Sequence, residues 1–579
     1  MRSATAAAAD LLSWVAEPRP DRGVCPVGAD GGDGVVPYSE IASRARSVAT
    51  ALRAGGLRPG DVACTILPGG PDFLAAVFGT LWAGGVASPL PTPPLLASDH
   101  YWDHLRAMLA LARPRVLLTT RAVAASERLA KATRDCGAAV LAVPDAAVAA
   151  ESDRVRGTDL ALVQFTSGSS GPPKGIRITG ENLRANVAAL RKAMLISAED
   201  TFTTWLPPYH DMGFIAQFLP AAAQIGNYVV QPSQFVRDPM TWLRCLGRHG
   251  ATLTAAPVFG YRYCASRVTT AQLTGLDFTG VKCAVIGAER ISPSTVSAFS
   301  ALLRTFGLRA EALLPAYGLG EATLAVTMKR PAAALSALPV DWRAADAADA
   351  GTAVPAGPVR HAAEFGHQAA ETWVMSCGTP VDGCVVQITD DDLRAVADGV
   401  LGEIVVSGPS VAEGYAAGSG AGSLTGFDAG RLRTGDVGLM CQGELYVVGR
   451  TGDSIKVNGR ALYAEQVELE VCRAVGRGLP AERCAALLGA RDGAALVALV
   501  AEAPIGEWVD DAAALLRRIG GGARIEIYAG TRGVIIRTTS GKPARRLMWR
   551  QLARGTLSVR LLHETEAAAP PLPGPGRPA

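Results

Sequence analysis

"DVACTILPGGPDFLAAVFGTLWAGG", residues 61–85, sets a short apolar run before an amphipathic stretch that begins at a proline. The first run has the length and composition of a strand and the second has the periodicity of a helix. The same alternation returns at "RVLLTT" (115–120), followed by a helical pattern over 122–135, and apolar strands recur at "CAVIGAE" (283–289) and "EALLPAYG" (311–318). Repeated alternation predicts right-handed βαβ units and a mostly parallel sheet.

The chain has 579 residues, which is too long for one ordinary hydrophobic core. We predict an α/β fold with a large N-terminal domain (1–449) of parallel and mixed sheets flanked by helices. A hinge (450–453) then leads to a small, mobile α+β domain (454–562), and the Ala- and Pro-rich tail (563–579) is predicted to be disordered. Residues 330–372 lack periodicity, which predicts a surface insertion, with a regulatory insert as the alternative.

Three stretches of the small domain have strand patterns and one has a helical pattern. "SIKVNG" (454–459), "ARIEIYAG" (523–530) and "GVIIRT" (533–538) are the predicted strands, and a short helix follows the last of them. A longer helix is predicted over 464–477. Its apolar residues at i, i+4 and i+7 are Val467, Val471 and Ala474.

The composition argues against several classes of partner. The 56 basic and 53 acidic residues leave a net charge of +3, which does not favour nucleic acid or a membrane surface. The eleven cysteines are scattered and form no C-x-x-C pair, which is typical of a reducing compartment. No uncharged apolar run is long enough to span a bilayer, and the N-terminus makes a poor signal peptide. We therefore expect a cytoplasmic protein with no membrane insertion.

"FTSGSSGPPKG" (165–175) combines glycines, hydroxyls and one lysine, a composition that suits a phosphate-binding loop. Apolar runs at 160–164 and 175–179 flank it, so the loop joins strand to strand, whereas a Walker loop runs directly into a helix. A helix is predicted to begin near Thr179, after the second run. The residues expected to contact phosphate are Thr166, Ser167, Gly168, Ser169, Ser170, Gly171 and Lys174.

Four further stretches place polar residues among apolar or small ones: "WLPPYHDMGFI" (205–215), "LPAYGLGEATL" (314–324), "RLRTGDVG" (431–438) and "RTTSGKPARR" (537–546). Singly, each has an ordinary structural explanation, since an Asp after Thr-Gly is usually a turn residue and a lone Lys is usually solvated. Together with the phosphate loop, their order and spacing favour a common site. The side chains they present are His210, Asp211, Tyr317, Glu321, Asp436 and Lys542.

This set of motifs resembles the adenylate-forming superfamily of acyl-CoA synthetases, nonribosomal-peptide adenylation domains and luciferases, over about residues 36–550. "LPPYHDMGFI", "YGLGEATLAV" and "VMSCGTP" look most like the fatty acyl-AMP ligases, and so does the insertion-like segment. The resemblance implies ATP- and Mg²⁺-dependent activation of a hydrophobic carboxylic acid to an acyl-adenylate, with release of pyrophosphate. It also implies transfer to an acyl carrier protein or a separate acyl-transferring enzyme, in lipid or natural-product biosynthesis.

The resemblance also assigns roles to residues. Lys542 would touch the carboxylate and the α-phosphate, Glu321 would bind Mg²⁺, and His210 would lie where the acid pocket meets the nucleotide. The residues expected around the adenosine are Gly287, Ala288, Glu289, Tyr317, Gly318, Asp436 and Arg450, with Tyr317 stacked on adenine and Asp436 and Arg450 at the ribose. The residues expected at the acid are His210, Asp211, Phe214, Phe218, Phe259, Tyr261 and Gly320, although the four aromatic residues suit a core equally well.

The sequence departs from the family pattern at two glycines. Gly320 stands where Thr or Ala is usual, and Gly452 stands where a charged hinge residue is common, which bears on domain rotation more than on adenylation. Two alternatives stay open: a complete acyl-CoA ligase, and a catalytically silent nucleotide-binding scaffold. "HYWDH" (100–104) pairs two histidines at i, i+4 but lacks the Glu of a zinc-protease helix, so a surface helix is the interpretation.

Overall fold

The computed structural model describes most of the chain. The described residues are 11–28, 34–94, 99–144, 153–166, 173–339, 359–361, 373–420, 424–428, 430–457, 460–491, 494–538 and 541–565.

The helices of the described residues, numbered along the chain, are α1 (Ser13–Ala16), α2 (Tyr38–Ala54), α3 (Pro71–Trp82), α4 (Asp99–Ala112), α5 (Arg121–Ala124), α6 (Glu127–Thr133), α7 (Gly180–Ala193), α8 (Asp211–Ala223), α9 (Pro232–Arg237), α10 (Met240–Gly247), α11 (Val258–Arg267), α12 (Pro293–Arg304), α13 (Ala464–Val475), α14 (Trp508–Ile519) and α15 (Arg545–Ala553). None of the helices in the described ranges is both long and apolar enough to cross a membrane.

The strands up to the insertion-like segment are β1 (Gly23–Pro26), β2 (Val36–Pro37), β3 (Val62–Ile66), β4 (Val86–Pro89), β5 (Val116–Thr119), β6 (Ala139–Ala142), β7 (Leu160–Thr166), β8 (Lys174–Thr179), β9 (Thr201–Thr204), β10 (Gly226–Val229), β11 (Leu253–Pro257), β12 (Cys283–Gly287), β13 (Leu313–Gly318) and β14 (Ala325–Met328).

The remaining strands are β15 (Ser336–Pro339), β16 (Arg360–His361), β17 (Trp373–Met375), β18 (Thr379–Pro380), β19 (Val385–Thr389), β20 (Gly402–Ser407), β21 (Gly414–Tyr415), β22 (Gly426–Asp428), β23 (Arg431–Cys441), β24 (Glu444–Arg450), β25 (Ser454–Val457), β26 (Arg460–Tyr463), β27 (Cys484–Arg491), β28 (Ala494–Ala501), β29 (Arg524–Gly530) and β30 (Val559–Thr565).

The opening stretch forms a βαβ unit, as its pattern predicts. β3 and β4 are parallel neighbours, and α3 connects them with Pro71 in its first turn, where the missing N–H costs nothing. They belong to a seven-stranded sheet ordered β21-β8-β7-β4-β3-β5-β6. β3 is apolar almost throughout because helices cover both faces of such a sheet.

A nine-stranded sheet lies beside the first and is ordered β18-β14-β13-β12-β11-β9-β10-β1-β2. Its central strands from β13 to β1 are parallel, and β14, β18 and β2 are antiparallel at the two sides. α8 connects β9 to its parallel neighbour β10, so α8 runs antiparallel to both strands. The predicted α/β class with a parallel central sheet is confirmed.

The phosphate-loop motif joins two antiparallel strands, as predicted. β7 pairs with β8, and Thr166 lies opposite Lys174 at the loop end of the ladder. α7 begins after Thr179, whose side chain accepts a hydrogen bond from the Asn182 N–H at 3.1 Å. The Asn182 side chain accepts one from the Thr179 N–H at 2.9 Å, which closes a reciprocal cap.

The residues after β24 build a separate four-stranded sheet, ordered β27-β28-β29-β30, with its own apolar core beneath α13 and α14. Three residues of α13 were predicted to face the core. Val467 and Val471 are buried, which confirms the prediction for them, but Ala474 is exposed. β27 and β28 are not among the strands predicted from the sequence. The domain limits at 449 and 453 stay a prediction.

"GVIIRT" (533–538) is not a strand, which corrects the prediction. Its apolar side chains Val534 and Ile535 are buried, but two of its backbone N–H groups donate hydrogen bonds to a carboxylate and not to a neighbouring strand. The N–H groups of Gly533 and Ile535 both donate to Glu502 Oε1, at 2.8 and 3.0 Å. Conversely, β30 runs to Thr565, three residues into the tail that was predicted to be disordered.

The insertion-like segment is partly built into the fold. β15 pairs with β16 and β17, and its Ala337 and Leu338 are buried, so the ends of the segment are not the surface insertion that the composition predicts. Residues 340–358 and 362–372 lie outside the described residues, and the prediction for them stands untested.

Candidate active site

The carboxyl ends of β12 and β13 form the edge at which the predicted nucleotide residues gather. β12 ends at Gly287 and β13 ends at Gly318, and their backbones approach neighbours closely. A β-carbon on Gly287 would lie 2.8 Å from the Ala316 carbonyl oxygen, and one on Gly318 would overlap the Leu324 carbonyl oxygen. Glycine at these two positions therefore allows neighbouring backbone segments to lie close together. Ligands of open α/β sheets bind at such carboxyl ends of strands.

Tyr317, Asp436 and Arg450 form one hydrogen-bonded group at this edge. The Tyr317 hydroxyl donates to Asp436 Oδ2 at 2.7 Å, and Arg450 Nε lies 3.1 Å from Asp436 Oδ1. Asp436 and Arg450 are register partners on β23 and β24. Arg450 Nη2 also donates to the Thr425 hydroxyl at 3.0 Å and to the Thr434 carbonyl at 3.2 Å.

Burial is the largest influence on the pKa of the Asp436 carboxyl, whose side chain is 17% exposed. Burial raises the pKa of the Asp436 carboxyl, and the opposing influences are Arg450, the Tyr317 hydroxyl and Lys542. Burial likewise raises the pKa of Tyr317 well above its usual value, so its hydroxyl stays protonated and donates. A carboxylate accepts several hydrogen bonds, which is the capacity that a vicinal diol requires.

Glu321 lies in the next turn and is almost fully buried, at 7% exposure. Its Oε1 accepts a hydrogen bond from the Tyr415 hydroxyl at 2.7 Å. Its backbone carbonyl accepts from the Ala412 N–H at 2.9 Å, so the strand β21 region holds this carboxylate in place. A buried carboxylate retains this position only with partners that offset its desolvation.

The two described ends of the phosphate loop face this turn. Thr166 Cγ2 lies 3.4 Å from the position that a β-carbon on Gly320 would take, and Asp211 Oδ2 lies 3.6 Å from it. Lys174 Nζ lies 5.8 Å from the Tyr415 ring centroid. Burial lowers the Lys174 pKa, and the nearby Glu321 charge opposes that shift. Ser167, Gly168, Ser169, Ser170 and Gly171 lie outside the described residues.

Gly320 differs from the family pattern at little steric cost. A β-carbon there would lie 2.9 Å from Ile176 Cδ1, the far end of a flexible side chain. A β-carbon on Gly452 would overlap Leu424 Cδ1 and lie 3.0 Å from Arg546 Nη2, which are likewise the far ends of flexible side chains. The Arg546 contact shows that α15 lies close to the end of β24.

Lys542 projects from a turn in the last part of the chain and is half-buried. The Thr538 N–H donates to the Lys542 carbonyl at 2.8 Å, and Arg537 bridges to Pro543. Burial raises the pKa of both Asp436 and Glu289, and the Lys542 charge opposes this shift at each of them. Lys542 is thus near enough to Asp436 and Glu289 for its charge to influence both carboxyl groups.

An apolar cavity opens beside this group, between the nine-stranded sheet and the helices α7 and α8. Tyr317, Gly287 and Ala288 lie at its rim with Asp211, which joins the cavity to the polar site. Its helix wall consists of Leu190, Met194, Met212, Ile215, Ala216 and Leu219, and its sheet wall includes Phe202, Ala255, Val285 and Ala316.

The aromatic residues predicted at the acid are not in the lining of this cavity. Phe214 and Phe218 stack on each other on a different face of α8 and are fully buried in the core. Tyr261 is also buried and donates to the Val285 carbonyl at 2.8 Å, while Phe259 packs edge-on against Trp205. The alternative that these aromatics are core residues is thus correct for Phe214, Phe218 and Tyr261.

His210 lines a second, smaller cavity. Thr166 and Tyr209 line it as well, and His104 from "HYWDH" reaches it from α4. His104 is partly buried and Ala110, further along the helix, is exposed, so α4 is a helix with one solvent-facing side, as predicted. His210 immediately precedes α8 and lies next to Asp211, so the two residues face adjoining cavities.

Several residues of the site carry no local sequence signal. Tyr415 and Thr425 contact Glu321 and Arg450 only because distant strands meet, and nothing in their own neighbourhood marks them. Met212, Ile215 and Leu219 follow helical spacing on α8, a signal that was present but was outweighed by the aromatic residues of the same helix.

The comparison with known proteins agrees with this geometry. The family model described as AMP-binding enzyme matches residues 12–416, the greater part of the chain. The chain belongs to the AMP-binding enzyme family. That membership confirms the resemblance drawn from the motifs.

Relatives within the AMP-binding enzyme family are ligases of fatty acids. The medium-chain-fatty-acid–[acyl-carrier-protein] ligase JamA of Moorena producens is 32% identical over 457 residues, which cover 75% of this chain and 74% of the relative. The long-chain-fatty-acid–AMP ligase FadD32 of Mycolicibacterium smegmatis is 32% identical over 463 residues, or 74% and 71% of the two chains.

Solved structures share the architecture. One from a set of fatty acyl-adenylate ligases of E. coli and L. pneumophila superposes with a TM-score of 0.83 at 27% identity, over 95% of this chain and 98% of that one. The A-PCP structure of McyG with phenylalanyl-adenylate has a TM-score of 0.79 at 19% identity, which supports the fold alone. The mixed α/β class is thus shared with adenylate-forming enzymes.

Proposed function

We propose that this AMP-binding enzyme joins a hydrophobic carboxylic acid to AMP. A carboxylate oxygen of the acid attacks the α-phosphorus of ATP, a new oxygen–phosphorus bond forms, and the bond to the bridging oxygen breaks to release pyrophosphate. The observation that supports this proposal is the hydrogen bond between Asp436 and Tyr317, whose ring lines an apolar cavity, with the Lys542 charge acting on the same carboxyl. Those groups suit a nucleotide, and the cavity suits an acyl chain.

Each polar residue has a part in this reaction. Asp436 and Arg450 would hold the ribose, and the Tyr317 ring would lie against adenine. The attack brings two anions together, so positive charge is needed where negative charge develops. Lys542 would supply it at the carboxylate and the α-phosphate, and Lys174 would supply it at the departing pyrophosphate. No protein nucleophile is required, because both reactants are held in line.

The residues around Glu321 fit a magnesium ion bound together with ATP. The described residues contain no cluster of three or more His, Cys, Asp or Glu side chains, so no all-protein cage is available among them. Mg²⁺ commonly takes one or two carboxylates and completes its shell with substrate phosphates and water. The Glu321 carboxylate is buried and near Lys174, which suits this arrangement. The ion would neutralise phosphate charge.

Replacing Glu321 by Gln is expected to raise the Mg²⁺ concentration needed for half-maximal pyrophosphate release by roughly ten- to a hundredfold. The amide keeps the shape of the side chain and its bond from Tyr415 but loses the charge. A Mg²⁺ titration at fixed ATP measures the effect, with Glu199→Gln, at a surface carboxylate that is 85% exposed, as the control. Unchanged magnesium dependence in E321Q would remove Glu321 from the metal site.

The acyl group is proposed to pass to a carrier protein, as the name of JamA states for that relative. The complete acyl-CoA ligase remains the competing outcome. Incubation of purified protein with ATP and an acid, with and without CoA and with a phosphopantetheinylated carrier protein, decides between them. Acyl-adenylate and loaded carrier support the proposal, acyl-CoA as the main product supports the competitor, and ATP binding without turnover identifies a silent scaffold.

A further inference from the structure

The strands that line the apolar cavity indicate how deep the cavity is. One face of β12 presents Gly287 at the rim and then Val285 and Cys283 at successive positions inward. On the neighbouring strand β11, Ala255 is the register partner of Val285, and Leu253 is the register partner of Cys283. On the next strand, β9, the register partner of Leu253 is Phe202. The lining therefore descends from Gly287 to Phe202, four strand residues or about 13 Å.

The helix wall gives the same depth independently. α8 begins at the rim with Asp211 and runs antiparallel to β9, so its later residues lie deeper. Leu219 is the deepest residue of α8 in the cavity lining, eight positions after Asp211, which is about 12 Å along a helix axis.

The far end of the cavity is closed by large side chains. α7 ends against the deep end of the sheet, where Cys283 Sγ donates to the Met194 carbonyl at 3.4 Å. Met194 and Phe202 are each 2% exposed, whereas Ala288 at the rim is exposed to solvent. Between these ends the walls carry small residues such as Ala216 and Ala255. The space is a channel with an open polar end and a closed apolar one.

We propose that the acid is a linear chain of about ten carbons, and that the Met194 side chain sets the upper limit on its length. This inference rests on the proposed adenylation activity. An extended hydrocarbon advances about 1.3 Å per carbon, because its tetrahedral C–C bonds are about 1.5 Å long, so a channel of about 13 Å holds about ten carbons.

Two substitutions test the limit from opposite directions. Pyrophosphate release is measured over saturated acids of roughly 4 to 16 carbons and over bile-type polycyclic acids. Met194→Ala opens the closed end and is expected to move the preferred length upward by about two to three carbons. Ala216→Leu fills the channel about 7.5 Å from Asp211 along the helix, and it is expected to move the preference down to about six carbons.

Met240→Ala is the matched control, because Met240 is equally buried, at 2% exposure, but lies outside the cavity lining. It is expected to leave the length profile of wild type unchanged. A wild-type optimum near ten carbons with opposite shifts in M194A and A216L supports the inference. Turnover with an unshifted profile in both variants, or preference for polycyclic acids, overturns it while leaving the adenylation activity intact. Absence of pyrophosphate release with every acid refutes the proposed function instead.

Discussion

Replacing Lys542 by Ala is expected to lower acid-dependent ATP–pyrophosphate exchange by about a hundredfold to a thousandfold, the loss typical of removing one preorganised charge at a reacting centre. The Lys542 charge reaches Asp436 and Glu289, so it is already part of the site that the nucleotide would enter. Its turn is held by backbone bonds, including Gly541 N–H to the Thr538 carbonyl at 2.9 Å, and these do not use the side chain. We therefore expect K542A to fold normally.

Lys192→Ala is the matched control for this variant. Lys192 lies on the surface, 3.0 Å from Asp382, and both side chains are largely exposed. Surface pairs of this kind contribute little, so exchange in K192A should equal that of wild type. If K542A retains wild-type exchange at an unchanged melting temperature, Lys542 has no part in adenylation and its assignment from the motif is wrong.

Replacing Asp436 by Asn is expected to lower kcat/KM for ATP by roughly ten- to a hundredfold. Hydrogen bonds to a charged group contribute about 1.5–3 kcal/mol, and about 1.4 kcal/mol corresponds to a factor of ten. The substitution also leaves Arg450 without its ion-pair partner at the same position. Asp382→Asn, at the surface partner of Lys192, is the control and should keep wild-type kinetics.

A comparison of ATP with 2′-deoxy-ATP and 3′-deoxy-ATP separates ribose binding from a purely structural role. Wild type should use the deoxy nucleotides less well, because a hydroxyl that would bond to the carboxylate is missing. In D436N this discrimination should shrink to near unity, since the acceptor has already been weakened. Equal discrimination in both proteins would assign Asp436 to structural support of Tyr317 and Arg450 alone.

Local periodicity predicted much of the architecture. The parallel units around β3, β4 and β5 and the hairpin of β7 and β8 follow from runs shorter than twenty residues, because strand and helix periods are local properties. The error at 533–538 has a specific cause. An apolar run with β-branched residues is typical of a strand, but the N–H groups of Gly533 and Ile535 bond to Glu502 about thirty residues away, and no local pattern indicates that partner.

Some residues of the candidate site were also predicted from local motifs, while others depend on how the helices pack. Motifs placed Tyr317, Asp436 and Lys542 in one site before any geometry was known, whereas Phe214 and Phe218 were assigned to the acid because aromatic side chains suit an apolar ligand. The packing of α8 turned those two rings into the core and turned Ile215 and Leu219 toward the cavity. The rotation of a helix about its axis depends on the surfaces it meets, which a short stretch does not specify.

The sequence by itself determined the α/β class, the adenylate-forming family and the polar residues of the site, because each of these lies in a contiguous stretch with its own period or composition. Only the tertiary structure decided that the Tyr317 hydroxyl meets Asp436, 119 positions away, that the Tyr415 hydroxyl donates to Glu321, and that Met194 lines the apolar cavity. Those contacts join chain-distant residues, and strand register and helix packing set them across the whole fold.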